Sequence, residues 1–306
     1  MIKVENIEKS YGTQQALKGI SLEVKKGELF GLIGPDGAGK TTLMRILVTL
    51  LLPDAGLAKM DNLDVVADFR KIRTMVGYMP GRFSLYQDLT VEENLQFFAT
   101  VFGSTIAANY HLIKDIYSQI EPFKNRLAGK LSGGMKQKLA LSCSLIHAPK
   151  ILILDEPTTG VDAVSRKEFW EMLNKLRHQG ITILVSTPYM DEANLCDRVA
   201  LLQNGSILSI DTPKNITASF AKNLYGVKVE TTAQRFECVG LLKDLKGIDS
   251  VFSFGESIHI TSNQLSINEE SVKEYLNRKG HQGIFVEKIA ASIEDVFMEL
   301  MQNEAN

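Results

Sequence analysis

The chain has 306 residues, of which 44% are hydrophobic and 23% are charged, as in a globular protein with one large domain and a small one. Its formal charge of -2, from 34 basic and 36 acidic side chains, argues against a polyanion such as DNA as the main partner. The cysteines Cys143, Cys196 and Cys238 form no CxxC pair, so we expect buried thiols and neither disulfides nor a zinc site. Because the longest apolar run, from Leu43, is short and contains Arg45, we expect a chain that is neither exported nor membrane-spanning.

The first part of the chain predicts strands followed by a glycine-rich loop and a helix. Strand-like stretches run around Ile2 to Ile7, Ala16 to Val24 and Leu29 to Ile33, with glycine turn signals between them. The sequence GPDGAGKTT follows, and we expect a helix from Thr41 to Leu52 that ends before Pro53. Strand, glycine loop and helix in this order are typical of a phosphate-binding loop.

The middle of the chain changes from a helical pattern to alternating strands and helices. Residues 85–148 read as an inserted helical subdomain, with Thr90 as the N-cap of its first helix. Strand Ile151 to Asp155, helix Ala163 to His178, strand Ile181 to Ser186 and a helix through Met190 to Leu195 then predict a parallel sheet covered on both faces. A hairpin at Asn204-Gly205 is expected to close this part.

After residue 220 the elements become shorter, and no second glycine loop appears. Their order predicts a β-α-β-β-α-β unit, which is a ferredoxin-like arrangement. We therefore expect a main domain at residues 1–220 and a small C-terminal α+β domain at residues 221–306. The expected elements are strand Gly226 to Glu230, helix Arg235 to Leu245, strands Val251 to Phe254 and Ile258 to Thr261, helix Glu269 to Arg278, and strand Gly283 to Val286.

The sequence GPDGAGKT fits the phosphate-loop pattern G-x-x-x-x-G-K-[ST]. The glycines let backbone N–H groups point inward, and the following helix N-terminus adds partial positive charge. Lys40 can reach the β- and γ-phosphates, and the Thr41 hydroxyl can bind Mg²⁺; a plain glycine turn is the alternative. The predicted nucleotide-binding residues of this loop are Gly34, Pro35, Asp36, Gly37, Ala38, Gly39, Lys40, Thr41 and Thr42.

Two adjacent carboxylates follow an apolar strand in ILILDEP. Asp155 and Glu156 are costly at such a position unless another group compensates for their charge. Asp155 can hold Mg²⁺ together with Thr41, and Glu156 can polarise an attacking water, with Lys40 as the second catalytic candidate. A helix-capping acidic pair is the alternative.

A third motif, LSGGMKQ, opens a helix at Leu131 to Gln137, and by itself it could be a simple N-cap. Phosphate loop, LSGG, LDEP and TTGVD in this order resemble the nucleotide-binding subunit of an ABC transporter over roughly residues 1–220. The resemblance implies the ABC ATPase form of the P-loop NTPase fold, an α/β architecture. It has a parallel sheet core, an N-terminal antiparallel β subdomain and an inserted helical subdomain.

The resemblance also implies a mechanism and roles for particular residues. Two subunits would sandwich two ATP molecules, and hydrolysis would reopen the pair. Tyr11 would stack on adenine, although a core tyrosine is the alternative. Ser132, Gly133 and Gly134 would contact the γ-phosphate of the opposite ATP, and TTGVD at Thr158 to Asp162 would cross the dimer seam.

The tail SIEDVFMEL is similar to that of ATPases of type-2 ABC exporters, although any amphipathic helix could resemble it. The implied partners are a polytopic membrane permease and a second ABC ATPase, as a homo- or heterodimer, and no nucleic acid. A groove around Phe83 to Tyr86 would receive a cytoplasmic helix of the permease. The chain would lie in the cytoplasm, peripheral on the inner face of the membrane.

Two positions depart from the family pattern. Gly81 stands where the resemblance implies a glutamine for Mg²⁺ and water, and Pro188 stands where it implies a histidine for the γ-phosphate. Only neighbours such as Thr187, Arg82 or a relocated water could substitute for the two missing side chains. We therefore expect a subunit that binds Mg-ATP but hydrolyses it slowly at its own phosphate loop.

Three alternatives stay open at this point. The two replacements could be tolerated in a normal ATPase. The chain could be an essentially non-catalytic, nucleotide-gated subunit paired with an active ATPase. It could also be a soluble ABC ATPase of translation or DNA repair, although such proteins usually carry two modules or a coiled-coil insertion, and this sequence has neither.

Overall fold

The computed structural model describes residues Met1–Ala305 and forms two compact units. The first unit runs over Met1–Pro213, and the second begins at Lys214, a few residues before the boundary expected after residue 220. The strands of the first unit are β1 (Ile2–Tyr11), β2 (Gln14–Val24), β3 (Leu29–Ile33), β4 (Ala55–Met60), β5 (Leu63–Asp64), β6 (Val76–Met79), β7 (Ile151–Asp155), β8 (Thr182–Thr187), β9 (Arg198–Gln203) and β10 (Ser206–Asp211).

The helices of the first unit lie between these strands in the expected order. They are α1 (Lys40–Leu47), α2 (Phe69–Met75), α3 (Val91–Val101), α4 (Ile106–Tyr117), α5 (Gly133–Leu145) and α6 (Ala163–His178). Helix α7 (Pro213–Ala218) follows β10 and begins the second unit. Thr90 caps α3 in a capping box with Glu93, which confirms the predicted N-cap. The predicted helix at Met190–Leu195 is a 3-10 helix.

The central sheet has the strand order β10–β9–β3–β8–β7–β6, and its pairs are parallel except for β9 with β10. Strands β3, β7 and β8 are buried along their whole length, which explains their continuous apolar sequences. Asn204 and Gly205 both have positive φ values, 48° and 81°, as a tight hairpin turn requires. Parallel strands end at the same edge, so the loops after β3, β7 and β8 lie together.

A second sheet of the first unit is antiparallel and has the order β2–β1–β4–β5. It shares a buried apolar cluster with α1 and the central sheet, in which Leu17, Leu43 and Leu184 take part. This is the predicted α/β fold with an antiparallel N-terminal part and an inserted helical part.

The predicted end of α1 at Leu52 is wrong, because the helix stops at Leu47. The chain reverses at Thr49, which has a φ of 63°, and Leu50 and Leu51 both donate their N–H groups to the Arg45 carbonyl. Arg73 donates to the Thr49 carbonyl at 2.8 Å, so a contact from α2 stabilises the turn.

The second unit contains β11 (Asn223–Lys228), α8 (Thr232–Asp244), β12 (Ser250–Phe254), β13 (Ser257–Ser262), α9 (Glu269–Arg278), β14 (Phe285–Lys288) and α10 (Ile293–Ala305). Its antiparallel sheet has the order β12–β13–β11–β14, and Val227, Ile260, Leu242 and Leu276 belong to its buried core.

All three cysteines, Cys143, Cys196 and Cys238, are buried free thiols, as predicted, and burial raises the pKa of each of them. Over Met1–Ala305, no helix has both the length and the apolar character needed to cross a membrane.

Candidate functional site

The phosphate loop follows β3 and leads directly into α1. Gly39, with a φ of 107°, precedes the helix, and no side chain caps the first turn of α1. A Cβ atom on Gly34 would lie 2.2 Å from the Leu202 carbonyl oxygen, so only glycine fits there. The N–H groups of the first turn of α1 therefore face the space in front of the loop without a side-chain partner. A helix N-terminus of this kind can bind phosphate.

Lys40 is buried at the centre of this loop, with a relative exposure of 3%. Its ammonium donates to the carbonyl oxygens of Gly34 at 2.7 Å and Pro35 at 3.0 Å, and lies 3.1 Å from Glu156 Oε1. A buried ammonium held by carbonyl oxygens and one carboxylate is a fixed positive charge at the end of β3 and β7.

Asp155 and Thr41 meet at the same edge. The Thr41 hydroxyl donates to Asp155 Oδ1 at 3.1 Å, and the Ser186 hydroxyl donates to the same oxygen at 2.8 Å. Asp155 is 3% exposed, so these two donors replace water around its carboxylate. Oxygens this close together fit the coordination shell of a hard divalent cation.

Glu156 lies beside Lys40 in a strained backbone conformation. Its φ of 48° is in the left-handed region, which non-glycine residues seldom occupy outside functional or turn positions. Its N–H group donates to Ser186 Oγ at 2.9 Å, which stabilises this turn. Its side chain is 22% exposed and faces the cleft, where a carboxylate can contact water.

A cavity of about 400 Å³ connects the phosphate loop with the N-terminal hairpin. Tyr11 and Gln14, which face each other across the β1–β2 turn, lie at its rim, and Ala16 lines it as well. Tyr11 is 49% exposed, so it is not a core residue. The structure therefore brings together Tyr11, the loop residues from Asp36 to Thr42, and Glu156.

The predicted trans-contact residues lie elsewhere. Ser132 caps α5 by accepting from the Met135 N–H group, and Gly133 and Gly134 form the first turn of that helix. A Cβ atom on Gly134 would lie 2.6 Å from Ser165 Oγ, so α5 closely approaches the start of α6 at this position. Ser132 and Gly133 are exposed and do not line the cavity of their own chain.

Gly81 and Pro188, the two positions predicted to depart from the family pattern, lie near the ends of β7 and β8. A Cβ atom on Gly81 would lie 3.0 Å from the Asp155 carbonyl oxygen, so position 81 is adjacent to the candidate catalytic carboxylate. Pro188 follows β8 directly and has no N–H donor. The Thr187 hydroxyl is fully buried and donates to Glu192 at 2.5 Å, so this hydroxyl is already engaged away from the cleft.

A separate apolar groove of about 450 Å³ includes part of the segment predicted to receive a permease helix. Phe83 and Leu85 line it together with Phe98 of α3, and Phe102 stacks on His147 with ring centroids 3.9 Å apart. Burial lowers the pKa of His147, which favours its neutral form in this apolar contact.

Sequence reasoning missed Ser186 and Gln14. Ser186 is the register partner of Asp155 in the neighbouring strand, and it hydrogen-bonds both Asp155 and Glu156. The sequence does contain a signal for Ser186, because ILVS and ILILD are apolar strands that both end in polar residues. Gln14 carries no such signal, since only the hairpin register places it beside Tyr11.

Comparison with known protein families agrees with the family that the order of the motifs implies. A family profile described as "ABC transporter" matches residues 17–159. The probable multidrug ABC transporter ATP-binding protein YbhF of Escherichia coli K12 is 43% identical over 225 residues, which cover 72% of this chain and 39% of that protein. The chain thus spans about two fifths of the length of this relative.

A second relative matches along nearly the whole chain. The Nod factor export ATP-binding protein I of Burkholderia lata is 33% identical over 310 residues. The alignment covers 99% of this chain and 97% of that protein. Among solved structures, the ATP-binding cassette MJ0796, a dimer in a post-hydrolysis state with ADP and phosphate, superposes with a TM-score of 0.64. The identity is 28%, over 69% of this chain and 98% of that one.

Proposed function

Because the chain belongs to the family of ABC transporter ATP-binding subunits, we propose that it binds Mg-ATP in the cleft at the phosphate loop and couples this binding to export through a membrane permease. The observation that carries the proposal is the meeting of Lys40, Asp155 and Glu156 at one edge of the central sheet. These groups supply the positive charge, the metal-binding oxygen and the water-polarising carboxylate that phosphoryl transfer requires.

Each side chain of the cleft has a proposed role in holding the nucleotide. The uncapped N-terminus of α1 and the Lys40 ammonium bind the phosphates, and the ring of Tyr11 stacks on the adenine. Thr41 and Asp155 would hold Mg²⁺, whose charge offsets that of the triphosphate. Their oxygens, 3.1 Å apart, fit this ion.

Hydrolysis requires a water placed in line with the γ-phosphate. Glu156 is the proposed base, because it faces the cleft and lies next to Lys40. The exposed Ser132 and Gly133 would complete the corresponding site of a second ATPase subunit, and the dimeric state of MJ0796 supports this arrangement. The partner subunit is a second copy or a related chain.

We further propose that hydrolysis at this chain's own phosphate loop is slow. Gly81 offers no side chain beside Asp155, and Pro188 offers no donor. The engagement of Thr187 with Glu192 argues against this hydroxyl as a replacement for the missing histidine. Loss of one preorganised donor typically costs about 10²- to 10³-fold in rate.

The test restores both side chains. We expect Gly81→Gln combined with Pro188→His to raise the ATP hydrolysis rate of the purified chain about 100-fold or more, which is the typical effect of one preorganised donor. Phosphate release at saturating Mg-ATP measures this rate, and a binding titration checks that ATP affinity changes little.

The matched control is Gly81→Ala combined with Pro188→Ala. It adds the same Cβ contact with the Asp155 carbonyl at 3.0 Å and removes the same proline ring, but it brings no polar group. We expect the control to stay at the wild-type rate. A brisk wild-type rate that the Gln/His replacement leaves unchanged would contradict the slow-hydrolysis proposal.

The proposed position of the chain is on the inner face of the membrane, held there by its permease. The apolar groove around Phe83 and Phe98 would receive a cytoplasmic helix of that partner. The names of the relatives, multidrug and Nod factor export proteins, support an export role, and the permease would select the substrate.

A further inference from the structure

Glu192 is a buried carboxylate outside the nucleotide cleft. It is 2% exposed and belongs to the 3-10 helix that follows Pro188. Its Oε2 accepts hydrogen bonds from the hydroxyls of Thr187 at 2.5 Å and Thr158 at 3.1 Å, both of which are also buried. The shorter distance is typical of a charge-assisted O–H···O⁻ bond.

The two threonines belong to different segments of the candidate site. Thr158 opens the TTGVD segment, just after Glu156, and Thr187 is the last residue before Pro188. The Thr187 carbonyl accepts from the Gly34 N–H group at 3.4 Å, and its hydroxyl accepts from the Tyr189 N–H group at 3.0 Å. Thr187 thus connects the carboxylate to the phosphate loop as well.

One cation, the Arg166 guanidinium, lies near the Glu192 carboxylate without hydrogen-bonding it. Arg166 Nε of α6 lies 3.9 Å from Glu192 Oε1, and its guanidinium stacks on the Tyr189 ring with a centroid distance of 4.6 Å. Asp191 lies 4.0 Å from Arg166 Nη1, but its side chain is 78% exposed. A buried carboxylate of this kind is costly to keep for packing alone, since an apolar residue would fill the same space.

We propose that Glu192 is a positioning residue for nucleotide hydrolysis. It holds the TTGVD segment against the turn at Thr187 and Pro188, so that a shift of TTGVD at the dimer seam changes the geometry around Glu156. This inference rests on the proposed function, in which TTGVD crosses that seam. Glu192 itself does not touch the cleft, so its loss changes the rate of the chemical step and leaves ATP affinity nearly unchanged.

The experiment compares Glu192→Ala, Glu192→Gln and Thr158→Val with the wild type. Single-turnover hydrolysis of radiolabelled ATP, with protein in excess, gives a rate constant per bound nucleotide. We expect Glu192→Ala to lower it about 10- to 100-fold, as misplacement of a catalytic group does. We expect a loss of about threefold for Thr158→Val, which removes one of the two donors, and partial rescue in Glu192→Gln, whose amide oxygen still accepts both hydroxyls.

If Glu192 only stabilised the fold, its replacement would change the stability of the protein and not the rate of hydrolysis. It would lower the fraction of folded protein, whereas the rate constant per bound nucleotide would not change. Trp170, the chain's single tryptophan, lines the same cavity as Glu192 and Arg166, so its emission checks local packing. Glu171→Gln, at an exposed position of α6, is the matched control and should hydrolyse ATP like the wild type.

The outcomes separate the inference from the function on which it rests. The inference alone fails if folded Glu192→Ala and Thr158→Val hydrolyse bound ATP at the wild-type rate, in the natural chain and in the Gly81→Gln, Pro188→His variant. The proposed hydrolysis, and the inference with it, fails if the unmodified chain and that variant both bind a fluorescent ATP analogue but release no phosphate.

Discussion

The two sides of the nucleotide cleft differ in the polar groups that they offer. On the side of the phosphate loop, the N-terminus of α1, Lys40 and Thr41 supply several donors and one buried positive charge. On the opposite side, Gly81 and Pro188 offer no side-chain donor, and the Thr187 hydroxyl is turned toward Glu192. Under the proposed function, the groups that hold the triphosphate and the positions that would place a water therefore lie on separate segments.

This separation has a physical consequence. Under the proposed function, the free energy of ATP binding is spread over many backbone N–H groups, one ammonium and a metal-binding pair, so the loss of a single group weakens binding without abolishing it. Water placement depends on a few donors at defined points, and each is worth about 3 to 4 kcal/mol of barrier. Sequence change can therefore remove hydrolysis and spare binding.

The largest effect is expected from Lys40→Ala, which removes the charged side chain from the phosphate-loop side of the cleft. Lys40 is 3% exposed, and its ammonium is the buried charge of the phosphate loop. Its loss should weaken ATP affinity about 100-fold, as removal of one partner of a buried charged contact does. Titration with a fluorescent ATP analogue measures the change, and Lys71→Ala, at a 71% exposed side chain, is the control. Affinity within threefold of the wild type would refute the assigned role.

Tyr11→Ala should have a smaller effect on the same side of the cleft. Stacking of a base on an aromatic ring is worth about 1–3 kcal/mol, so ATP affinity should fall about tenfold. Tyr11→Phe keeps the ring and should bind ATP like the wild type. The same titration compares the two variants, and equal affinities for Ala and Phe would place the base elsewhere.

Ser186→Ala should have the smallest effect, because Ser186 only supports Asp155 and Glu156. Loss of a bond to a buried carboxylate should lower the free energy of unfolding by about 1–2 kcal/mol in urea titrations. The Mg²⁺ concentration for half-maximal hydrolysis should rise about threefold, since Asp155 is held less firmly. Ser144→Ala, a buried serine that hydrogen-bonds within its own helix, should leave the Mg²⁺ dependence unchanged. An unchanged Mg²⁺ dependence in Ser186→Ala would separate this serine from the metal site.

Most of the cleft could be predicted from the sequence because its motifs are local. The phosphate loop acts through its own backbone, so GPDGAGKT is enough to predict its shape and the helix that follows. Asp155 and Glu156 were predicted from the end of one apolar strand, and neighbouring parallel strands bring that end to the loop. Continuous apolar runs likewise predict β3, β7 and β8 closely, and the helical pattern predicts α6.

The prediction failed where distant residues decide a local conformation. The end of α1 was misplaced because Arg73 of α2 holds the turn at Thr49, and helix propensity contains no information about that contact. The Met190–Leu195 segment shows the same limit, since its 3-10 form accompanies the contacts of Glu192 with Thr158 and Thr187.

The nucleotide chemistry can be predicted from the sequence alone, because each motif carries its donors and acceptors on adjacent residues. Which residues of separate segments contact one another depends on the tertiary fold: Ser186 of β8 with Asp155 of β7, Thr158 with Glu192, and Lys40 with Glu156. The reason is that these pairs depend on strand order and register, which are set by burial of whole elements and by no single motif.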